Sequence, residues 1–226
     1  MSRERVLDNI RRALRRRAPA DPAGLEARLR ESPQGPLPTR GQRPRNGRIE
    51  LFLTMARESK ASIVRVADRA GVPAAIADYL ASENLPAQLR LSPDARLTDL
   101  PWHGRPLIEI STGSSGGNDA VSLCHAEAGI AETGTLMMAS GANSPTTLNF
   151  LPETEIVLIP AEDVVGGMEE AWARLRARRG FSPEKAPALP RTVNFITGPS
   201  RSADIGQKLQ MGAHGPRRLH IIIVGE

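Results

Sequence analysis

Cysteine is nearly absent, with Cys124 the only one in 226 residues. One thiol cannot close an intrachain disulfide, and an iron–sulfur cluster takes four cysteine ligands, so the chain by itself holds neither. Aromatic residues are scarce at 3%, which leaves the core to Ile, Leu, Val, Ala and Met. No apolar run approaches the ~20 residues that cross a bilayer, and the first residues lack the apolar centre of a secretory signal. A reducing cytoplasm is therefore the expected compartment. No dinucleotide fingerprint or P-loop occurs, and no spacing of His, Cys, Asp or Glu matches a zinc site. Neither a bound cofactor nor a metal is expected. Gly113-Ser114-Ser115-Gly116-Gly117 follows a strand but precedes no helix, so it reads as a flexible hairpin loop rather than a phosphate cradle.

Apolar residues at 40% and charged residues at 24% suit one soluble domain with a sizeable core and an N-terminal arm. Charge is uneven. Met1 to Arg48 carries thirteen arginines against five acidic residues, within a net charge of +5 for the whole chain. Ser2 to Arg17 places Val6, Leu7, Ile10 and Leu14 on one helical stripe with arginines around the rest, a basic amphipathic helix. Ala18 to Gly47 is rich in Pro and Gly and poor in large apolar residues, so it reads as an extended linker with one helical turn near Leu25 to Arg30. The division expected is residues 1–47 as a basic arm and 48–226 as the folded domain.

Within that domain, helix at Arg48 to Ser59, strand at Ser62 to Val66, helix at Ala74 to Asn84 behind Pro73, and strands at Gln88 to Leu91 and Pro106 to Ser111 alternate. Glu162 to Arg179 reads as one helix, and Leu219 to Val224 as a continuously apolar central strand. Alternation of this kind predicts an α/β fold with a mainly parallel sheet.

The densest motifs begin at Glu132-Thr133-Gly134, a carboxylate and a hydroxyl on a turn where glycine bends freely. Apolar runs at Gly134 to Ala139 and Ile156 to Pro160 bracket a loop of Ser140, Gly141, Asn143, Ser144 and Pro145 and a segment, Thr146 to Leu151, able to make one or two helical turns. A second stretch repeats the grammar: Val193 to Thr197, then Gly198 to Ile205, then the run to Val224. The two loops are expected to face each other across one cleft. In the second, Ser200 or Ser202 can cap a helix whose free N–H groups attract an anion, Arg201 offers a planar fork, and Asp204 falls in the first helical turn. Among the histidines, His214 on a loop is the one suited to face substrate, and His220 inside the last strand reads as a core residue.

Taken together, Ala131-Glu132-Thr133-Gly134-Thr135, Leu151-Pro152 to Pro160, Gly198-Pro199-Ser200-Arg201-Ser202-Ala203-Asp204-Ile205 and His214-Gly215-Pro216-Arg217-Arg218-Leu219-His220 resemble the lactate-utilisation protein C family, the LUD-domain group. The resemblance covers roughly Arg48 to Glu226. It implies a Rossmann-like three-layer α/β/α sandwich similar to ribose-phosphate isomerases and CoA transferases. It also implies a place in a cytoplasmic system that oxidises L-lactate to pyruvate with iron–sulfur partner proteins, the clusters belonging to those partners. On that reading Arg201 with Ser200 and Ser202 holds the carboxylate, and Glu132 or His214 accepts a proton. Thr133, Gly134, Asp204 and Arg218 complete the expected substrate contacts. Two alternatives stay open: a stand-alone CoA-transferase-like or phosphosugar-isomerase-like enzyme using Glu132, and a non-catalytic scaffold or regulator whose basic arm binds a partner or nucleic acid.

Overall fold

The computed structural model describes residues 2–14, 21–31, 35, 37–180, 189–203, 209–212 and 214–225. It divides into two compact units, Met1–Gly35 and Pro36–Glu226. The first holds α1 (Arg3–Ala13) and α2 (Pro22–Glu31). Ser2 caps α1 by accepting from the Arg5 amide. Asp21 does the same at the start of α2, accepting from Ala23 ahead of a proline at the first helical position, and this cap extends the single turn expected there to ten residues.

The second unit opens with α3 (Arg45–Glu58), three residues earlier than the sequence suggests. It continues through β1 (Ser62–Val66), α4 (Val72–Ser82), β2 (Gln88–Leu91), α5 (Ala95–Thr98), β3 (Glu109–Thr112) and β4 (Val121–His125). Next come β5 (Ala128–Ile130), β6 (Thr135–Ala139), β7 (Thr154–Pro160), β8 (Val164–Val165) and α6 (Met168–Arg178), and then β9 (Val193–Ile196), β10 (Arg201–Ala203), β11 (Leu209–Met211) and β12 (Arg218–Val224). Residues 37–47, placed in the arm by composition, pack in this unit: a Cβ on Gly41 would lie 2.5 Å from the Gly166 carbonyl oxygen, so the two glycine backbones touch.

The main sheet has six parallel strands in the order β1-β12-β7-β4-β2-β3. Its central strands β4, β7 and β12 are mostly apolar and buried because both faces are covered. Ile156 and Leu158 of β7 and Ile222 of β12 pack on one face with Val72, Ile76 and Leu80 of α4. Val157, Ile159, Leu219, Ile221 and Ile223 pack on the other with Ile49, Phe52 and Leu53 of α3 and with Leu136 and Met138 of β6. The α/β fold with a parallel sheet between helices is thus as expected, with one elaboration. A second sheet, β8-β5-β6-β9, shares that layer with α3, and its far face packs against Ala171 and Leu175 of α6.

Two local readings are corrected. Glu162 to Arg179 is not one helix: Val164 and Val165 are β-branched, pair with Gly129 and Ile130 of β5, and are followed by Gly166 and Gly167, so α6 starts only at Met168. The Gly198 turn does not open a helix either. Gly198 takes a positive φ of 72° and packs against Ser59, where a Cβ would lie 2.0 Å from the carbonyl oxygen. The chain then runs extended into β10, antiparallel to β11.

Candidate functional site

In an open parallel sheet the ligand crevice lies outside the carboxyl ends of the strands, at the point where the chain reverses its direction of travel across the sheet. Here that point is between β2 and β4. From β2 the chain steps outward to β3, then returns to β4 on the other side and proceeds to β7 and β12. A cavity of about 510 Å³ opens there, lined by Asp94 and Arg96 behind β2, Glu127 behind β4, the turn of residues 141–144 behind β6, and Arg178 and Arg179 at the end of α6.

Each part is held by a specific contact. Ser92, buried at the end of β2, donates through Oγ to the Asn143 carbonyl at 2.5 Å and so pins the turn. The turn is closed by reciprocal amide–carbonyl bonds between Gly141 and Ser144, both 3.1 Å. That leaves the Ala142 and Asn143 amides, both on exposed residues, without a partner among the described residues. Asp94 caps α5 through the Arg96 amide at 2.9 Å and grips the Arg96 guanidinium at 2.6 to 3.1 Å. Burial opposes ionisation of Asp94, but the hydrogen bonds and charge of Arg96 prevail and hold its carboxyl below the ordinary value. Arg178 reaches the Glu127 carbonyl at 3.0 Å and pairs with buried Asp163. Among the described residues Arg179 is held only by a 3.8 Å contact to Glu127.

His125, the last residue of β4, is buried behind this rim, with Nδ1 unpartnered among the described residues. Burial, reinforced by the Arg96 charge, lowers its pKa to about 3, so it is a neutral imidazole at every physiological pH. The arrangement therefore presents free amides and guanidinium groups at the surface and a neutral hydrogen-bonding ring beneath. A set of this kind has the chemistry to suit a small anion bearing a hydroxyl or carbonyl group.

The residues expected from the sequence fall in separate places. Ser200, Arg201 and His214 do come together, lining a second cavity of about 360 Å³ with Asn149, Phe150 and Thr197. The His214 amide donates to Ser200 Oγ at 3.3 Å. No helix N-terminus supports them, because Arg201 begins β10. Ser202 lies in the same strand, and Asp204 lies outside the described residues. Thr133 is linked to this region through hydroxyl contacts of 2.7 Å, Thr133 to Thr135 and Thr135 to Thr197. Glu132 lines neither cavity: its Oε1 accepts from the Met168 amide at 3.1 Å and caps α6, whose own cap residue, Gly167, has no side chain to do so. Gly134, with φ at 67°, seats the turn on α3, where a Cβ would meet the Ala56 nitrogen at 2.3 Å. Arg218 pairs with Glu83 at 3.5 Å, beyond the end of α4. The two loops expected across one cleft instead line a cavity each, residues 141–144 the first and residues 198–201 the second.

Sequence reasoning missed Asp94, Arg96, His125, Glu127, Arg178 and Arg179. The Ser92-Pro93-Asp94 punctuation directly after β2 was the available signal, since Asp after such a turn caps a helix. Among the described residues no cluster of His, Cys, Asp or Glu could hold a metal ion, and no helix is long and apolar enough to cross a membrane.

Comparison with known proteins agrees with this architecture. The LUD domain family matches residues 49–224. A Lactate utilization protein C from Geobacillus thermodenitrificans is 38% identical over 104 residues, 46% of this chain and 42% of that protein. One from Bacillus subtilis strain 168 is 32% identical over 106 residues, 47% of this chain and again 42% of that protein. The match thus spans about two fifths of the length of these relatives. The crystal structure of a DUF162 family protein from Deinococcus radiodurans superposes with a TM-score of 0.60 at 20% identity, covering 81% of this chain and 99% of that one, a likeness of fold.

Proposed function

The chain belongs to the LUD domain family, and from that premise we propose that it serves in lactate utilisation, binding the hydroxy acid in the crevice between β2 and β4. The observation that carries this reading is the pinned turn, whose Ala142 and Asn143 amides have no partner among the described residues and which lines one cavity with Arg96 and Arg179, in a relative of proteins named for lactate utilization. Lactate's carboxylate takes the amides and an arginine. Its hydroxyl points toward His125, which stays neutral and orients it by hydrogen bonding rather than by charge.

Oxidation of lactate to pyruvate releases two electrons and two protons. The lone thiol, Cys124, is buried, and its pKa is raised by burial and by Glu155, a poor fit to a four-thiolate cluster. In this proposal the electrons pass to iron–sulfur partner proteins in the cytoplasm, and the chain's task is to bind and orient the substrate. A second reading rests on the gathering of Ser200, Arg201 and His214 around one cavity, with Arg201 holding the anion there. Covalent chemistry at Glu132 fits least well, since that carboxylate is engaged in capping α6.

Lactate titration by calorimetry, with dye reduction by the chain mixed with its iron–sulfur partners, separates the readings. Arg96→Ala is expected to weaken lactate binding about tenfold or more, the worth of one charge-assisted contact, with Arg201→Ala close to wild type. The reverse pattern would move the site to the His214 cavity, and wild-type binding in both variants would remove lactate from both.

A further inference from the structure

The first compact unit carries a feature that the crevice does not use. No residue of α1 is buried, and Val6, Leu7 and Ile10 on it, with Leu14 at its C-terminal cap, are 37% to 56% exposed. At about 100° per residue these four fall within one arc of about 100°, with Arg5 and Arg12 on the opposite face and Arg11 on the flank. An aliphatic stripe of this kind gains free energy from cover.

The charges beside it decide the kind of cover. Residues 2–17 hold seven arginines against Glu4 and Asp8. Asp8 is already paired with Arg11 at 2.8 Å, whereas Arg3 and Arg5 have no ion pair among the described residues. Beyond Arg48 acidic residues outnumber basic ones, so attraction to an anionic surface belongs to the N-terminal segment and not to the whole chain. A duplex phosphate backbone would engage the arginines and leave the aliphatic stripe in water. A groove on a protein leans on aromatic anchors, and α1 has no aromatic residue. The boundary of an anionic bilayer satisfies both faces at once, since aliphatic side chains enter between headgroups and acyl chains while guanidinium groups meet the acidic headgroups.

We propose that α1 is an in-plane membrane anchor that binds the surface of a bilayer containing acidic phospholipids. Its 11 residues span about 16 Å, roughly half the hydrocarbon thickness, so the helix lies along the surface instead of crossing it. Arg3, the one charge in line with the stripe, sits in the first turn, where its long side chain reaches back to the headgroups. The attachment is independent of what the crevice binds.

Flotation of the full chain with vesicles tests this, using phosphatidylcholine alone and phosphatidylcholine with about 30% phosphatidylglycerol. The chain is expected to float with the acidic vesicles and not with the neutral ones, and to be released as salt is raised. Ile10→Gln keeps charge and helix propensity, and should weaken binding about tenfold or more, the worth of one buried aliphatic side chain. Arg5→Gln combined with Arg12→Gln should weaken it about thirtyfold, at about fivefold per charge. Neither variant should shift the urea midpoint, because none of these side chains is buried. A chain that stays unbound with acidic vesicles overturns the proposal, and so does equal binding to neutral ones. Binding that Ile10→Gln leaves intact overturns it too, and tighter binding to duplex DNA would then assign the arginines to a phosphate backbone.

Discussion

Gly134 and Gly198 are required by geometry rather than by any chemistry, since each takes a positive φ where its backbone touches α3 or the residue after it. Gly134→Ala forces both a left-handed backbone and a 2.3 Å clash with the Ala56 amide, and is expected to cost about 3 kcal/mol in urea denaturation. Buried ionisable side chains set a second residue-scale behaviour. His220 stacks on Tyr79 with ring centres 3.8 Å apart and shares a 2.8 Å contact with Ser62, and burial lowers its pKa to about 4. Unfolded histidine protonates near 6.5, so below that pH the unfolded chain binds more protons. The contribution of His220 and His125 is complete above about pH 6.5 and is lost as the pH falls toward 4 and below. Glu155 works in the opposite sense. It is wholly buried with neither oxygen partnered among the described residues, and burial raises its pKa well above 4.5, so its cost grows as the pH rises past 4.5 toward the folded value. Urea midpoints should therefore peak at mildly acidic to neutral pH. His220→Gln should flatten the acid limb by up to about 3 kcal/mol, and Glu155→Gln the alkaline limb.

At the scale of elements, Glu132 shows how a residue legible in sequence can take a role that is not. Its position on a turn beside glycine was readable, but its partner, the Met168 amide, lies 36 residues away and is set only when β5 pairs with β8. Glu132→Ala should destabilise the chain by about 1 to 2 kcal/mol through loss of that cap, measured as a lower melting temperature. Strands with strong apolar runs, such as β7 and β12, were legible because burial on both faces leaves a nearly continuous hydrophobic signature. β4 was harder to read, since Ser122 interrupts its run and is satisfied by donating to the Leu148 carbonyl at 2.7 Å, a contact invisible in one dimension. The crevice shared this fate. Asp94, Glu127 and Arg178 come from three separate elements, and only the order in which strands enter the sheet brings them together. The Gly198 segment failed for the converse reason, because a good capping sequence there is overridden by pairing of β10 with β11.

At the scale of the molecule, the hydrophobic clusters all begin at or after Ile49, which places the domain boundary near Arg48 if burial alone is considered. Backbone contact moves it. Gly41 and Gly166 abut, and Arg48 pairs with Glu170 at 3.0 Å across the same junction, so residues 37–47 brace the start of α6. A chain beginning at Pro36 is expected to melt about 5 °C higher than one beginning at Arg48, a difference near 2 kcal/mol for a domain of this size, as scanning calorimetry would register. The scarcity of aromatic residues leaves only two indoles, and they sit in different cores. Trp102 packs against the cluster on the α4 face and donates to the Leu97 carbonyl at 2.9 Å, whereas Trp172 lies against Phe195 at a ring separation of 5.7 Å on the outer sheet. Replacing either one with phenylalanine leaves a single indole, so the tryptophan emission of two variants, excited where Tyr79 does not absorb, reads the loosening of the two layers separately, with no dye attached.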